Sequence, residues 1–65
     1  MSYKKDFLRL KRKVKLAKTH KSLKMIEKVA KRRLFKINNY EDKKKAFYLY
    51  KDLVEQIKIA SRKLR

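Results

Sequence analysis

Cations crowd the first half of this chain, at Lys4, Arg9, Lys11, Arg12, Lys15 and Lys18, then at Lys24, Lys28, Lys31 and Arg32. The chemistry open to such side chains is the binding of anions, above all of phosphates. Lys outnumbers Arg 17 to 6. Lysine meets a phosphate as a mobile point charge, whereas arginine offers a planar fork that reads bases and shape. The bias therefore favours contact with a nucleic-acid backbone over sequence reading. Catalysis finds no matching set of residues. One His, no Cys and three Ser make no nucleophile–base arrangement, and a chain without Gly cannot build a glycine-rich phosphate loop. The six carboxylates lie at helix-stabilising positions rather than as a paired acid and base. The expectation is a protein with no catalytic residues, no metal site and no cofactor.

The formal charge is +17, from 23 Lys and Arg against 6 Asp and Glu. Residues 1–37 hold 15 of the cations and only Asp6 and Glu27, a net of +13; residues 38–65 hold 8 against 4, a net of +4. Cations on helices usually form a solvated face, but solvated faces mix signs, and here the ratio is nearly four to one. A polyanionic partner is the reading the charge favours. Sixty-five residues allow one domain, 1–65, near the lower size limit for independent folding. The longest apolar run is "AFYLY" at 46–50, far short of a membrane span. No apolar run of signal-peptide length follows Lys4 and Lys5, so the expectation is an intracellular, cytoplasmic protein.

What scaffold carries these charges depends on "FLRLKRKVKL" at 7–16, which fits two periods. Leu8, Leu10, Val14 and Leu16 alternate with cations as on a strand. Tyr3, Phe7, Leu10, Val14 and Ala17 instead follow the four–three spacing of a helix seam. The helix is favoured, because Arg12 would break the strand's apolar face and no Gly or Pro is present to build tight turns. Continuing the seam reaches positions 21, 24 and 28, all lysine, while apolar residues resume in a new phase at Leu23, Ile26, Ala30, Leu34 and Ile37. The phase shift puts a break in "KTHKS" at 18–22, where Thr19 or Ser22 can cap a new helix and His20 reads as a turn residue. "INNYED" at 37–42 supplies the second break. There an Asn can take the left-handed conformation that ends a helix, and Asn39 can cap the next.

The predicted fold is all-α, a small three-helix bundle with helices at about 3–18, 22–37 and 40–63. The fallback is a helical hairpin in which 3–37 is continuous. The third helix carries a wide stripe, Ala46, Phe47, Leu49, Tyr50, Leu53, Val54, Ile57, Ala60 and Leu64, and Tyr40, Phe47 and Tyr50 fall where a core would put them. Glu27–Lys31, Glu41–Lys45 and Lys51–Glu55 are spaced for ion pairs one turn apart. Leu8, Leu16, Phe35, Tyr48 and Ile59 fall off the apolar faces. Exposed apolar residues are ordinary, but Phe35 and Tyr48, among cations, are the candidates for stacking on unpaired bases.

The function these features favour is RNA binding, with the chain docked on a folded RNA as a ribosomal or other ribonucleoprotein component. A DNA-coating or architectural protein, viral or nucleoid, is the first alternative. It lacks support from a helix-turn-helix signature, since the break at 18–22 has no Gly turn. A cationic membrane-active protein fits the amphipathic helices but not the absence of Trp. An adaptor for an acidic protein completes the alternatives. No small-molecule substrate is implied.

Overall fold

The computed structural model describes residues 3–64, so Met1, Ser2 and Arg65 of the expected 1–65 domain lie outside the described residues. Three helices follow one another: α1 (Tyr3–Leu16), α2 (His20–Lys36) and α3 (Tyr40–Lys63). They pack as a three-helix bundle, and the continuous 3–37 helix does not form. Lysine at each seam position beyond Ala17 leaves a single long helix with no apolar face to bury there, so the chain breaks and restarts in the new phase.

The breaks lie close to their expected places and differ in how they are made. Thr19, in extended conformation, is the cap of α2; its hydroxyl accepts from the Ser22 backbone N–H at 3.1 Å. That choice of Thr19 over Ser22 starts α2 at His20 rather than at 22, and α1 stops at Leu16 rather than 18. Asn39 caps α3, accepting from the backbone N–H groups of Glu41 at 2.9 Å and Asp42 at 3.2 Å. Those two acids also sit in the first turn, where the helix dipole favours negative charge. The left-handed Asn expected at the end of α2 is not used. Ile37 ends the helix in extended conformation, with its N–H on the Leu34 carbonyl, and no described residue has positive φ. Replacing Asn39 with Ala should lower stability by about 1 kcal/mol, because two orphan N–H groups lose their acceptor. Urea denaturation measures this, and Asn38→Ala should cost far less.

The core is the predicted seam. Phe7, Leu10 and Val14 of α1 meet Leu23, Ile26 and Ala30 of α2 and Ala46, Leu53 and Ile57 of α3. Tyr3, Ala17, Leu34, Ile37, Leu49, Tyr50, Ala60 and Leu64 are partly buried around it. Burying these side chains is what holds so charged a chain together, since apolar burial is the main favourable term available.

Two of the aromatics assigned to the core are outside it. Tyr40 is 79% exposed and Phe47 44% exposed, while Tyr50 alone is partly buried. Tyr40 opens α3 beside the turn, before the other helices reach it. Phe47 lies at the edge of a stripe wider than two neighbouring helices can cover. Its ring is covered instead by the Lys51 ammonium, one turn on, 5.1 Å from the centroid.

Contacts set the helix directions. Lys11 meets Asp52, and further along Val14 and Ala17 line one groove with Gln56 and Ala60, so α1 and α3 run parallel. His20 meets Ser61 and Leu64, and Leu23 lies beside Ile57, so α2 runs against both. The molecule measures 39 × 17 × 15 Å between Cα extremes. The 17 residues of α2 span about 25 Å at 1.5 Å per residue, too long to lie across the short axes. All three helices are therefore aligned with the long axis.

His20 is more than a turn residue. Its Nε2 is 3.1 Å from the Leu64 carbonyl, which can only accept, so that nitrogen donates. Its Nδ1 lies 3.1 Å from the Ser61 hydroxyl. The ring clasps the end of α3 to the start of α2.

Candidate nucleic-acid interface

The six acids explain how the surface charge is left. Asp52 pairs with Lys11 at 3.0 Å between α3 and α1, and Asp6 with Arg33 at 3.9 Å between α1 and α2. Glu27 is half-buried between α2 and α3 beside Tyr50, whose hydroxyl pKa is raised by burial and then by the Glu27 charge. Glu41 and Asp42 lie on the Asn39 cap. Asp52 and Asp6 thus tie helices together, Glu41 and Asp42 favour the α3 dipole from its first turn, and Glu41, Asp52 and Glu55 remain exposed. The one-turn pairs Glu27–Lys31, Glu41–Lys45 and Lys51–Glu55 do not form; among the described residues the ion pairs are those two between helices. An exposed pair on one helix gains too little to fix two mobile side chains. A pair spanning two packed helices has its partners already held.

The cations consequently face outward with few anions among them, and the bundle distributes them over three grooves. Between α1 and α3 lie Lys4, Lys11 and Lys15. Between α1 and α2 lies Lys13, with Arg9 one turn before it and Arg33 held across the groove by Asp6; Arg32 adjoins this edge. Lys24, Lys28 and Lys31 line the edge of α2 turned to α3. Arg12 points away from the bundle on α1, and Lys18 lies in the turn. All of these are exposed except Lys11, which is half-buried by its pairing with Asp52. The twelve expected site residues do not form one patch; they encircle the molecule.

The two expected stacking residues are exposed, Phe35 by 67% and Tyr48 by 61%. Eleven residues make three helical turns, so Phe35 continues the ridge of Lys24, Lys28 and Lys31 on α2. Phe47 continues the ridge of Lys58 on α3 by the same spacing. Because Lys24 and Lys58 line one groove and the helices are antiparallel, Phe35 and Phe47, three turns along from them, lie on that side of α2 and α3 at a similar level. Tyr48 lies on the opposite flank of α3, with Asp52 one turn on and Glu41 and Glu55 two turns to either side. Exposed Phe47, Lys51 and Lys58 stand on α3 besides the residues expected from the sequence. The i,i+4 spacing of Phe47 and Lys51 is the signal in the sequence for the cation over that ring.

No group of His, Cys, Asp and Glu that could hold a metal ion exists among the described residues, and no helix among them is long and apolar enough to cross a membrane. Comparison with protein-family models, curated proteins and solved structures finds no match for this chain.

Proposed function

We propose that this chain is a non-enzymatic RNA-binding protein that docks on folded RNA through its Lys-rich helical surface, as a cytoplasmic ribonucleoprotein component such as a ribosomal protein. The observation that carries the reading is the set of exposed cations along all three grooves, which far outnumber the acids, two of which, Asp52 and Asp6, are already paired between helices. Phosphates in a folded RNA converge on a small protein from several strands at once. A slender bundle that is cationic around its circumference suits such a setting. A single duplex would engage one side and leave the others unneutralised.

The DNA alternative receives less support from the geometry. A helix-turn-helix reader sets its two helices at about 90–120° so that one enters the major groove. Here α2 and α3 lie along a common axis, and no helix stands out from the bundle. Backbone-only coating of DNA remains the competing reading and differs in its outcome below. The amphipathic faces a membrane would need are turned inward and buried against one another.

Sequencing the nucleic acid that copurifies with the untagged protein, after nuclease trimming, tests the proposal. The expected result is a small set of recurrent fragments from structured RNA. Unbiased genomic DNA fragments would replace it with a coating function, and an absence of any nucleic acid at low salt would refute both.

A further inference from the structure

We infer that the α2/α3 groove is a site for an unpaired RNA segment, with bases stacked on Phe35 and Phe47 and phosphates held by Lys28, Lys31, Lys51 and Lys58. The inference deepens the RNA-binding reading and rests on it.

Three observations single out this groove. It is the groove in which two large aromatic rings, from different helices, are exposed at the same level. Neither ring belongs to the buried core: Phe35 is 67% exposed, and Phe47 is 44% exposed with the Lys51 ammonium over its ring. Finally, one half-buried acid, Glu27, stands among Lys24, Lys28 and Lys31 on α2, and one acid, Glu55, beside Lys51 and Lys58 on α3, so cations outnumber acids on both rims.

The other grooves lack that combination. The α1/α2 groove exposes Leu16 and Met25, which have no π-face. The α1/α3 side has Tyr48 among Lys44, Lys45 and Lys51, but Asp52, Glu41 and Glu55 share its flank and no second exposed aromatic from α1 stands with it. A base needs an exposed π-face and its phosphate a cation close by. Lys51 above the Phe47 ring offers the two together. Helices packed about 8–10 Å apart hold the two rings as separate platforms, so the site reads two bases of a splayed strand rather than clamping one. A paired base turns its faces to its neighbours in the stack and is refused. Single-stranded over duplex selectivity follows.

The chain contains no Trp, so a single introduced Trp reports on its own position. Phe35→Trp, Phe47→Trp and Tyr48→Trp variants would each be titrated with a single-stranded oligouridylate and with an RNA duplex of equal length. Emission from the first two should be quenched by the single strand and little by the duplex, with Tyr48→Trp unaffected by either. Phe35→Ala and Phe47→Ala should each weaken single-strand binding roughly 5- to 100-fold, with duplex affinity unchanged within about twofold. Phe35 is exposed enough that its alanine variant keeps the fold, so the test stands even if Phe47→Ala unfolds. Normal single-strand binding by Phe35→Ala, or quenching confined to Tyr48→Trp, would overturn the site while leaving salt-dependent RNA binding intact. A wild-type chain that binds neither RNA would remove the RNA-binding reading itself. Displacement of the oligouridylate by polyglutamate at equal concentration of charge would assign the groove to an acidic protein.

Discussion

Raising salt from about 50 to 200 mM should weaken RNA binding by roughly two to four orders of magnitude. Each phosphate neutralised releases condensed counterions, giving a slope in log affinity against log salt of about −0.7 per contact on single strands and −0.9 on duplex. Roughly five to eight contacts are expected from cations so densely placed, hence the large effect. Where the cations are removed matters as much as how many. Replacing Lys24, Lys28 and Lys31 with Gln should flatten the slope by about 2, since all three are exposed and free of acids within ion-pair distance. The Lys11, Arg12, Lys15 triple variant should flatten it less. Lys11 is already engaged by Asp52, and its removal leaves that carboxylate facing the RNA. Filter binding or fluorescence anisotropy across the salt range measures both slopes. An affinity that does not vary with salt would contradict electrostatic binding altogether.

The second large effect is on folding. Leu53→Ala should abolish the cooperative fold at low salt and leave it recoverable by polyanions. Leu53 and Leu23 are the largest fully buried side chains, and truncating a buried Leu costs about 2–5 kcal/mol. A 65-residue chain with a charge of +17 has little more than that to lose, because its core is small and its cations repel one another in the compact state. A polyanion that binds the folded form stabilises it by about 2.7 kcal/mol at a hundred times its Kd, besides screening the repulsion. Far-UV circular dichroism with and without polyphosphate should therefore show helix regained in Leu53→Ala and a higher Tm in the wild type. Wild-type melting unaffected by polyanions would mean that the core outweighs the charge. Retention of a sharp transition by Leu53→Ala at low salt would mean the same.

The contrast between Val14 and Phe47 shows how much of this protein was legible beforehand. Val14 was assigned to the core from spacing alone and is buried there. Its place depends on one helix with one apolar face, and a 3.6-residue period expresses that directly. Phe47 followed the same period on α3 and is exposed, because the stripe of α3 spans more of its circumference than two neighbours can cover. A wheel shows which residues share a face but not where the neighbour's coverage stops. Likewise the wheel left Phe35 and Tyr48 exposed but could not show that they belong to different grooves.

By itself, the sequence determined the sign and scale of the charge, the helical period, the breaks near Thr19 and Asn39 and the seam residues. These are local properties: side-chain type, spacing within a few turns and the hydrogen bonds a cap makes to its own backbone. Only the tertiary structure decided which acids meet which cations, that His20 clasps the end of α3, and that Phe47 rather than Tyr48 shares the α2/α3 side with Phe35. Those outcomes require two helices to be set side by side in a particular direction and register. Asp52 lies 41 residues from Lys11, and no periodicity along one helix encodes the angle at which another helix presents its side chains.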